Sequence, residues 1–269
     1  MLRLSAKARL AEKGFLMGPF VETGSPEIVE ALGPAGHDIA ILDREHSAMS
    51  GETVGSLIRA ATCAGVAPLI RVRENAPGPI LEALDQGAVG LHIPQIGSPE
   101  DAAEAVRAAR FAPAGERGFN PFVRAGRYGS LPVPELRREG DDDTLLVLHI
   151  EAAQALGRLD EILQTPGVDV AFLGPYDMSQ TLGVPGEVTH AKVRETMAAI
   201  VKAAERNGVA VGCFANSPEQ AELWLGQGVR YLAYSVDAHL FLNAAKAARE
   251  TVDSIRARLS CRIRDDKPC

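Results

Sequence analysis

The sequence has few cysteines and no excess of positive charge. Its four cysteines, Cys63, Cys213, Cys261 and Cys269, lie far apart, and none belongs to a Cys-x-x-Cys pair. We therefore expect reduced thiols in a cytoplasmic protein, with Cys63 and Cys213 in the core. Aspartate and glutamate number 35 against 28 lysines and arginines, a net charge of −7. That balance excludes the basic surface that nucleic-acid binding requires, and it would repel anionic lipid.

The sequence also lacks long hydrophobic runs. No apolar run approaches the roughly 20 residues that a membrane-spanning helix needs. Lysines and arginines interrupt the apolar residues of the first segment, MLRLSAKARLAEKG, so we expect no secretion signal. An early Gly-x-Gly-x-x-Gly turn is missing as well, which argues against a doubly wound dinucleotide-binding sheet.

Short apolar runs alternate with amphipathic, alanine-rich stretches along nearly the whole chain. This alternation predicts βα units and a parallel sheet. Eight such strands, each followed by a helix, close into a (β/α)₈ TIM barrel, with a doubly wound sheet as the alternative. We expect a single domain over residues 1–260 and a disordered polar tail over 261–269. The eight predicted strands are residues 14–20, 38–42, 67–72, 90–93, 144–150, 168–173, 209–214 and 230–235.

One connection is unusually long. Residues 113–143 exceed the length expected of a structureless loop in a compact domain. Such loops are usually functional, and this one carries Arg117, Arg124 and Arg127.

Acidic side chains follow two neighbouring predicted strands, where the active site of a β/α barrel lies. Glu151 follows the fifth strand and Asp177 the sixth, so both carboxylates are expected to face the barrel mouth. Two carboxylates without a nearby cysteine suit a hard cation such as Mg²⁺ or Mn²⁺. Alternatively, Glu151 caps the next helix and Asp177 begins a turn. His149 has the same strand parity as Glu151, and is either a third ligand, a hydrogen-bonding neighbour of the ligands or a core histidine.

A second polar group follows the second and third strands. The run Asp-Arg-Glu-His places Asp43 near His46, and an aspartate can orient an imidazole and raise its basicity for general base catalysis. Arg71 ends the third strand, where a guanidinium can hold a carboxylate or stabilise an enolate oxygen. The alternatives are a solvated acidic loop for the first pair and a rim salt bridge to Asp43, Glu45 or Asp85 for Arg71.

Gly174 and Pro175 precede Asp177 at a predicted helix start. Backbone N–H groups in such a turn can form a pocket for a substrate carboxylate. Phosphate fits less well, because barrel phosphate sites use the loops after strands seven and eight, which have no glycine-rich cradle here. Surface or structural roles are expected for the remaining histidines, His37, His92, His190 and His239.

These residues, in this order, resemble the metal-dependent (class II) pyruvate aldolases of the HpcH/HpaI family. The resemblance runs over about residues 14–250, and its most specific motifs are LDREH at 42–46 and GPYDMSQTLG at 174–183. It also includes PLIRV, LDQGAVGLHIPQI, FAPAGERG, HIEAAQALGRLDEI and SVDAHL.

The resemblance implies an architecture and a cofactor. The fold would be a TIM barrel of the phosphoenolpyruvate/pyruvate type, assembled as a homohexamer (a trimer of dimers) with the last helix exchanged between barrels. Glu151 and Asp177 would bind a divalent ion, Mg²⁺ or Mn²⁺ with Co²⁺ as a further candidate, which pyruvate chelates.

The implied reaction is that of a carbon–carbon lyase acting on a small 2-oxo acid and an aldehyde. A base removes the proton of the C4 hydroxyl of a 4-hydroxy-2-oxo acid, the C3–C4 bond breaks, and the metal holds the pyruvate enolate. In this scheme Arg71 steadies the enolate and the Asp43–His46 pair transfers protons. The backbone around Gly174 and Pro175 receives the pyruvate carboxylate.

Two features depart from the family pattern. His149 stands where the family usually has glutamine, which affects the metal's water shell or the proton route. The segment GFNPFVRAGRYG carries larger residues than usual in a loop near the aldehyde side. One alternative is therefore a condensing enzyme resembling a siderophore-pathway citrate synthase. In it, Arg117, Arg124 and Arg127 recognise an extra carboxylate, unless they make subunit contacts. Another alternative is a non-catalytic binding barrel.

Overall fold

The computed structural model describes residues 5–151 and 153–265. Eight parallel strands form a closed barrel in which each strand pairs with the next and the last pairs with the first. The predicted TIM barrel is confirmed, and each of the eight predicted strands overlaps an observed one. The strands are β1 (Leu16–Val21), β2 (Ile39–Asp43), β3 (Ala67–Arg71), β4 (Gly90–Ile96), β5 (Leu145–Ile150), β6 (Val170–Leu173), β7 (Ala210–Ala215) and β8 (Tyr231–Val236).

Helices cover the outside of the barrel. Three of them begin at a serine that accepts a hydrogen bond from a backbone N–H and is followed by proline, an arrangement that favours a helix start. The helices are α1 (Ala6–Lys13), α2 (Pro26–Leu32), α3 (Gly51–Cys63), α4 (Pro77–Asp85), α5 (Pro99–Ala109), α6 (Val133–Asp141), α7 (Ala153–Gly157), α8 (Leu159–Leu163), α9 (Pro175–Thr181), α10 (Ala191–Asn207), α11 (Pro218–Gly226) and α12 (Asp237–Asp265).

The core has two layers because successive strand residues point to opposite faces of the sheet. In β5, Leu146 and Leu148 pack outward against helices, whereas Leu145 and Val147 pack inside the barrel. His149 has the inward parity and is almost fully buried. The barrel interior is therefore a packed core whose upper layer is partly polar.

The long connection between α5 and β5 is more ordered than the sequence predicts. It contains a short 3₁₀ helix, Arg124–Gly129, and α6, which the hydrophobic pattern did not reveal. Arg117 lies 3.1 Å from Asp85, and Arg127 donates a hydrogen bond to Glu139 over 2.9 Å. Arg117 therefore ties the connection to α4 of the barrel, whereas Arg127 joins two parts of the connection itself.

Helix α12 leaves the barrel after its first turn. Every side chain from 241 to 259 is exposed, including Phe241, Val252 and Leu259. The helix extends to Asp265, within the tail that was expected to be disordered, and residues 266–269 lie outside the described part of the chain. None of the helices within 5–151 and 153–265 is long and apolar enough to cross a membrane.

The two cysteines expected in the core differ in their surroundings. Cys213 is buried, as predicted, but Cys63 is exposed at the end of α3, so the prediction for Cys63 was wrong. Cys63 is the last residue of α3, and its side chain lies beyond the part of the helix that packs on the sheet. The hydrophobic pattern of the sequence did not predict this position.

Candidate active site

A cavity opens at the carboxyl ends of the barrel strands, the end where the sequence predicts an active site. It brings together the predicted residues Arg71, Glu151 and Asp177, with the backbone at Gly174 and Pro175. The remaining lining residues are Phe20, Glu22, His149, Phe172, Tyr176, Phe214 and Val236.

The Glu151 carboxylate is held from two sides. Its Oε1 accepts a hydrogen bond from Nδ1 of His149 over 2.8 Å, and the backbone N–H of Gln95 also donates to the carboxylate. Gln95 adopts a left-handed conformation (φ 59°) beside an irregularity in the pairing of β4 with β5. Burial opposes ionisation of Glu151, but these hydrogen bonds outweigh it and lower the pKa of the carboxyl group.

Asp177 lies in the first turn of α9, directly after β6. Burial raises the pKa of its carboxyl group, and the negative charge of Glu151 raises it further. Gly174 precedes α9, and a Cβ atom at this position would lie only 2.6 Å from Oδ2 of Asp177. The absence of a side chain at Gly174 therefore leaves room for the Asp177 carboxylate in its observed position.

Arg71 is fixed by two acidic residues: Asp43, which ends β2, and Glu45 in the loop that follows. Asp43 is fully buried and accepts hydrogen bonds from Nε of Arg71 over 2.9 Å and from Nη2 over 2.5 Å. Nη1 of Arg71 lies 3.3 Å from Oε2 of Glu45, and the guanidinium carbon lies 4.5 Å from the ring centre of Phe20. Burial opposes the charge of Arg71, yet the hydrogen bonds and negative charge of Asp43 raise its pKa. The guanidinium therefore stays charged at the edge of the cavity.

The predicted contact between Asp43 and the imidazole of His46 is not formed. Asp43 instead accepts backbone N–H groups of Glu45 (2.9 Å) and His46 (3.3 Å) in addition to Arg71, which occupies its acceptor capacity. The His46 ring is exposed, with Nε2 3.8 Å from Oε2 of Glu45. His46 is not among the residues that line the cavity.

Arg124 lies at the opposite end of the barrel from Glu151. Its Nη1 would be 2.6 Å from a Cβ atom at Gly87, in the turn before β4. That turn leads into the amino end of the strand, whereas the cavity is at the carboxyl ends. The structure does not bring Arg124 to the cavity of the same chain, and substrate binding by Arg124 stays a prediction.

Sequence reasoning missed Glu22 and His92. Glu22 directly follows β1 and lines the cavity; burial and the charges of Asp43 and Asp237 raise the pKa of its carboxyl group. The signal for Glu22 was available, because it is an acidic residue at a strand end. His92 gave no such signal, since it lies inside β4, where it contacts His149.

Comparison with known proteins gives consistent matches along the chain. The model of the HpcH/HpaI aldolase/citrate lyase family matches residues 16–244. The hydroxypyruvate/pyruvate aldolase of Paraburkholderia phytofirmans is 36% identical over 258 residues, which are 92% of this chain and 97% of that protein.

Two solved structures share the whole fold. A HpcH/HpaI aldolase/citrate lyase family protein from Burkholderia cenocepacia J2315 has a TM-score of 0.87 at 34% identity, covering 93% of this chain and 99% of that chain. The citrate synthase SbnG has a TM-score of 0.85 at 26% identity, covering 95% and 100%. The resemblance inferred from the sequence motifs is confirmed: this chain belongs to the HpcH/HpaI aldolase/citrate lyase family.

Proposed function

We propose that this chain is a class II aldolase that reversibly cleaves a 4-hydroxy-2-oxo acid into pyruvate and an aldehyde. The observation that carries the proposal is the convergence of Glu151, Asp177 and Arg71 on one cavity at the carboxyl ends of the strands. Cleavage generates an enolate, and a fixed cation at the edge of a half-buried cavity favours that negative charge. The relative named hydroxypyruvate/pyruvate aldolase supports a small 2-oxo acid as the donor.

We further propose that Glu151 and Asp177 hold Mg²⁺ or Mn²⁺, with Co²⁺ as a further candidate. The donor set fits such an ion, because the charge conflict between the two carboxylates would be relieved by a cation between them. Within the described parts of the chain, His, Cys, Asp and Glu form no group of three or more that could hold a metal. Two carboxylates supplemented by water and substrate oxygens are a usual Mg²⁺ site. When bound, the ion supplies Lewis acidity to the 2-oxo group.

The chain's own groups bind the substrate and exclude water. Arg71, held by Asp43 and Glu45, is positioned to donate N–H groups to the developing enolate oxygen. The rings of Phe20, Phe172 and Phe214 form apolar walls of the cavity, which strengthens electrostatic interactions inside it. The backbone that follows Gly174 and Pro175 is proposed to receive the substrate carboxylate.

Proton transfer is assigned to His46. The exposed His46 ring is proposed to take the proton of the C4 hydroxyl in the cleavage direction, although it does not line the cavity in this chain. Oε2 of Glu45 lies 3.8 Å from Nε2 of this ring. In this arrangement Asp43 accepts hydrogen bonds from Arg71 and from the loop backbone, and it does not contact the His46 ring.

The proposal is tested by deuterium exchange into the methyl group of pyruvate, followed by NMR. This assay detects enolate formation without an aldehyde. We expect exchange with Mg²⁺ or Mn²⁺ and none after EDTA treatment. Exchange that survives EDTA would refute a metal-dependent aldolase, and a folded protein without exchange under either metal would refute the pyruvate donor.

A second candidate function, condensation with a dicarboxylic acceptor as in a citrate synthase, has less support. The similarity to the citrate synthase SbnG favours it. However, Arg117 pairs with Asp85 and Arg127 with Glu139, both away from the cavity. The cavity is instead lined by the additional carboxyl group of Glu22, which does not favour a second substrate carboxylate. We therefore expect a higher kcat/KM with a neutral aldehyde such as glycolaldehyde than with oxaloacetate. The reverse order would favour the condensing enzyme.

Replacing Gly174 with alanine is expected to weaken Mn²⁺ binding about tenfold while leaving the fold intact. The backbone at Gly174 (φ −88°) accommodates alanine, so the 2.6 Å approach to Oδ2 of Asp177 is relieved by displacing that carboxylate. Electron paramagnetic resonance of Mn²⁺ measures the affinity. Gly226→Ala on α11, where an added Cβ meets nothing within 4 Å, is the matched control. Equal affinities for the two variants would contradict the assignment of Asp177.

We also propose that the chain is a homo-oligomer in which α12 packs on a neighbouring barrel. The support is the exposed apolar surface of α12, including Phe241, Leu242, Val252, Ile255 and Leu259, which is unusual for a monomer. A hexamer built as a trimer of dimers is the expected form. Light scattering coupled to size exclusion would show a mass well above the 28.5 kDa of one chain; a monomeric mass would refute the proposal. The cytoplasmic location stays a prediction.

A further inference from the structure

Four polar side chains form a continuous hydrogen-bonded series from the cavity into the barrel interior. Nδ1 of His149 lies 2.8 Å from Oε1 of Glu151, and Nε2 of His149 lies 2.8 Å from Nδ1 of His92. Nε2 of His92 lies 2.7 Å from the hydroxyl of Tyr231. His92 and Tyr231 are fully buried, and His149 is 1% exposed. Polar groups at this depth are costly unless every one is hydrogen-bonded.

The series is held by packing as well as by hydrogen bonds. His149 extends from β5, His92 from β4 and Tyr231 from β8 across the barrel, all with inward parity. The Phe172 ring stacks on His149 with 4.6 Å between ring centres, and it meets His92 edge-on at 5.3 Å. These contacts pack both imidazoles against Phe172. Because a 180° turn of an imidazole is nearly isosteric, the hydrogen bonds set which ring nitrogen faces each partner.

The groups at the two ends of the hydrogen-bonded series, Glu151 and Tyr231, determine which ring nitrogens carry protons. An ionised Glu151 carboxylate only accepts, so Nδ1 of His149 carries a proton and, in a neutral ring, Nε2 accepts. His92 must then donate from Nδ1 and accept at Nε2, which requires the Tyr231 hydroxyl as the donor. Burial lowers the pKa of His92 and raises that of Tyr231, which keeps the imidazole and the phenol neutral.

We propose that Tyr231, His92 and His149 are positioning residues that fix both imidazoles as Nδ1–H tautomers and thereby hold the Glu151 carboxylate towards Asp177. The orientation of His149 matters because it supplies a directed N–H to Glu151, as hydrogen-bonding partners behind metal ligands commonly do. The consequence for metal binding rests on the proposed function, whereas the tautomer assignment does not.

The tautomers are tested directly in the metal-free protein. Long-range ¹H–¹⁵N correlation spectra of protein labelled with ¹⁵N-histidine should show two of the six histidines as neutral rings protonated at Nδ1. Tyr231→Phe removes only the terminal donor and leaves Nε2 of His92 without a hydrogen bond. We expect His92 to keep its Nδ1–H, because it still donates to His149, and its Nε2 signal to shift. A doubly protonated His149, which would reverse both inner hydrogen bonds, or an Nε2–H ring at either position would overturn the inference.

The positioning role is tested by Mn²⁺ affinity from electron paramagnetic resonance, without substrate. We expect His149→Phe to weaken binding about 10- to 100-fold and Tyr231→Phe to weaken it severalfold. His149→Gln should restore most of the affinity, because its amide can donate to Glu151. Tyr234→Phe is the matched control: it makes the same change on β8, but Tyr234 packs with the outer core.

The outcomes separate this inference from the proposed function. Failure of the wild-type protein to bind Mn²⁺ would refute the metal site and with it the positioning role, whichever histidine tautomers the spectra show. Wild-type binding that Tyr231→Phe and His149→Phe leave unchanged would overturn the positioning role while the metal site stands. If His149→Phe fails to fold, Tyr231→Phe, which preserves the shape of the core, decides the question.

Discussion

Replacing Glu151 with glutamine is expected to reduce metal-dependent deuterium exchange into pyruvate about 10³-fold or more. Glutamine retains an oxygen that can accept the Nδ1–H of His149, so the local structure should persist. It removes one of only two proposed anionic ligands. A loss of about 4 kcal/mol in stabilisation of the enolate, within the range of Lewis-acid catalysis, corresponds to about that factor.

The measurement is the exchange rate at saturating Mn²⁺, alongside Mn²⁺ affinity and thermal unfolding. Asp177→Asn should show the same loss. Glu161→Gln is the control, since Glu161 is an exposed carboxylate on α8 that pairs with Arg158. Exchange in Glu151→Gln within about tenfold of wild type, in a folded protein, would remove Glu151 from the site.

Replacing Arg71 with methionine is expected to lower the free energy of unfolding by about 3 to 5 kcal/mol, in addition to abolishing exchange. Asp43 is fully buried and depends on Arg71 for two of its hydrogen bonds. Without the guanidinium, a carboxylate remains in the core with only backbone donors. Removing one partner of a buried ion pair is costly because the other charge stays desolvated.

Urea unfolding followed by circular dichroism measures this cost. Arg158→Met is the matched control: it removes an exposed arginine from its pairs with Glu100 and Glu161, and we expect little change in the free energy of unfolding. The double variant Arg71→Met, Asp43→Leu should recover part of the stability, because it leaves no unpaired buried charge. Equal costs for Arg71→Met and Arg158→Met would show that the buried pair contributes little to the fold.

Much of the barrel could be predicted because its signal is local. Apolar runs separated by amphipathic stretches repeat eight times, and period and length distinguish strands from helices. Site residues at strand ends, such as Glu151 and Asp177, were predictable for the same reason, since parallel strands all end at one edge. Helix α6 was missed because its mean hydropathy is low and its short apolar face resembles a polar loop.

Two predicted site residues, His46 and Arg124, do not line the cavity. Asp43 and His46 are three residues apart, but the turn between them directs the backbone N–H of His46 to the carboxylate and its ring to solvent. Arg124 lies in the connection between α5 and β5, which starts at the amino end of the barrel because α5 runs back from the carboxyl end of β4. It stays at that end, near Gly87. Proximity in sequence says little about side-chain direction in irregular segments.

The sequence by itself determined the family, the order of the strands and the edge at which the acidic residues end, because these depend on local periodicity and short motifs. Only the tertiary structure decided which of those residues share a cavity and what supports them. His92 and Tyr231 are 139 positions apart, and nothing in either segment marks them as partners. They meet because closure of the barrel brings β4 and β8 across one interior, where a buried polar group must find a hydrogen bond.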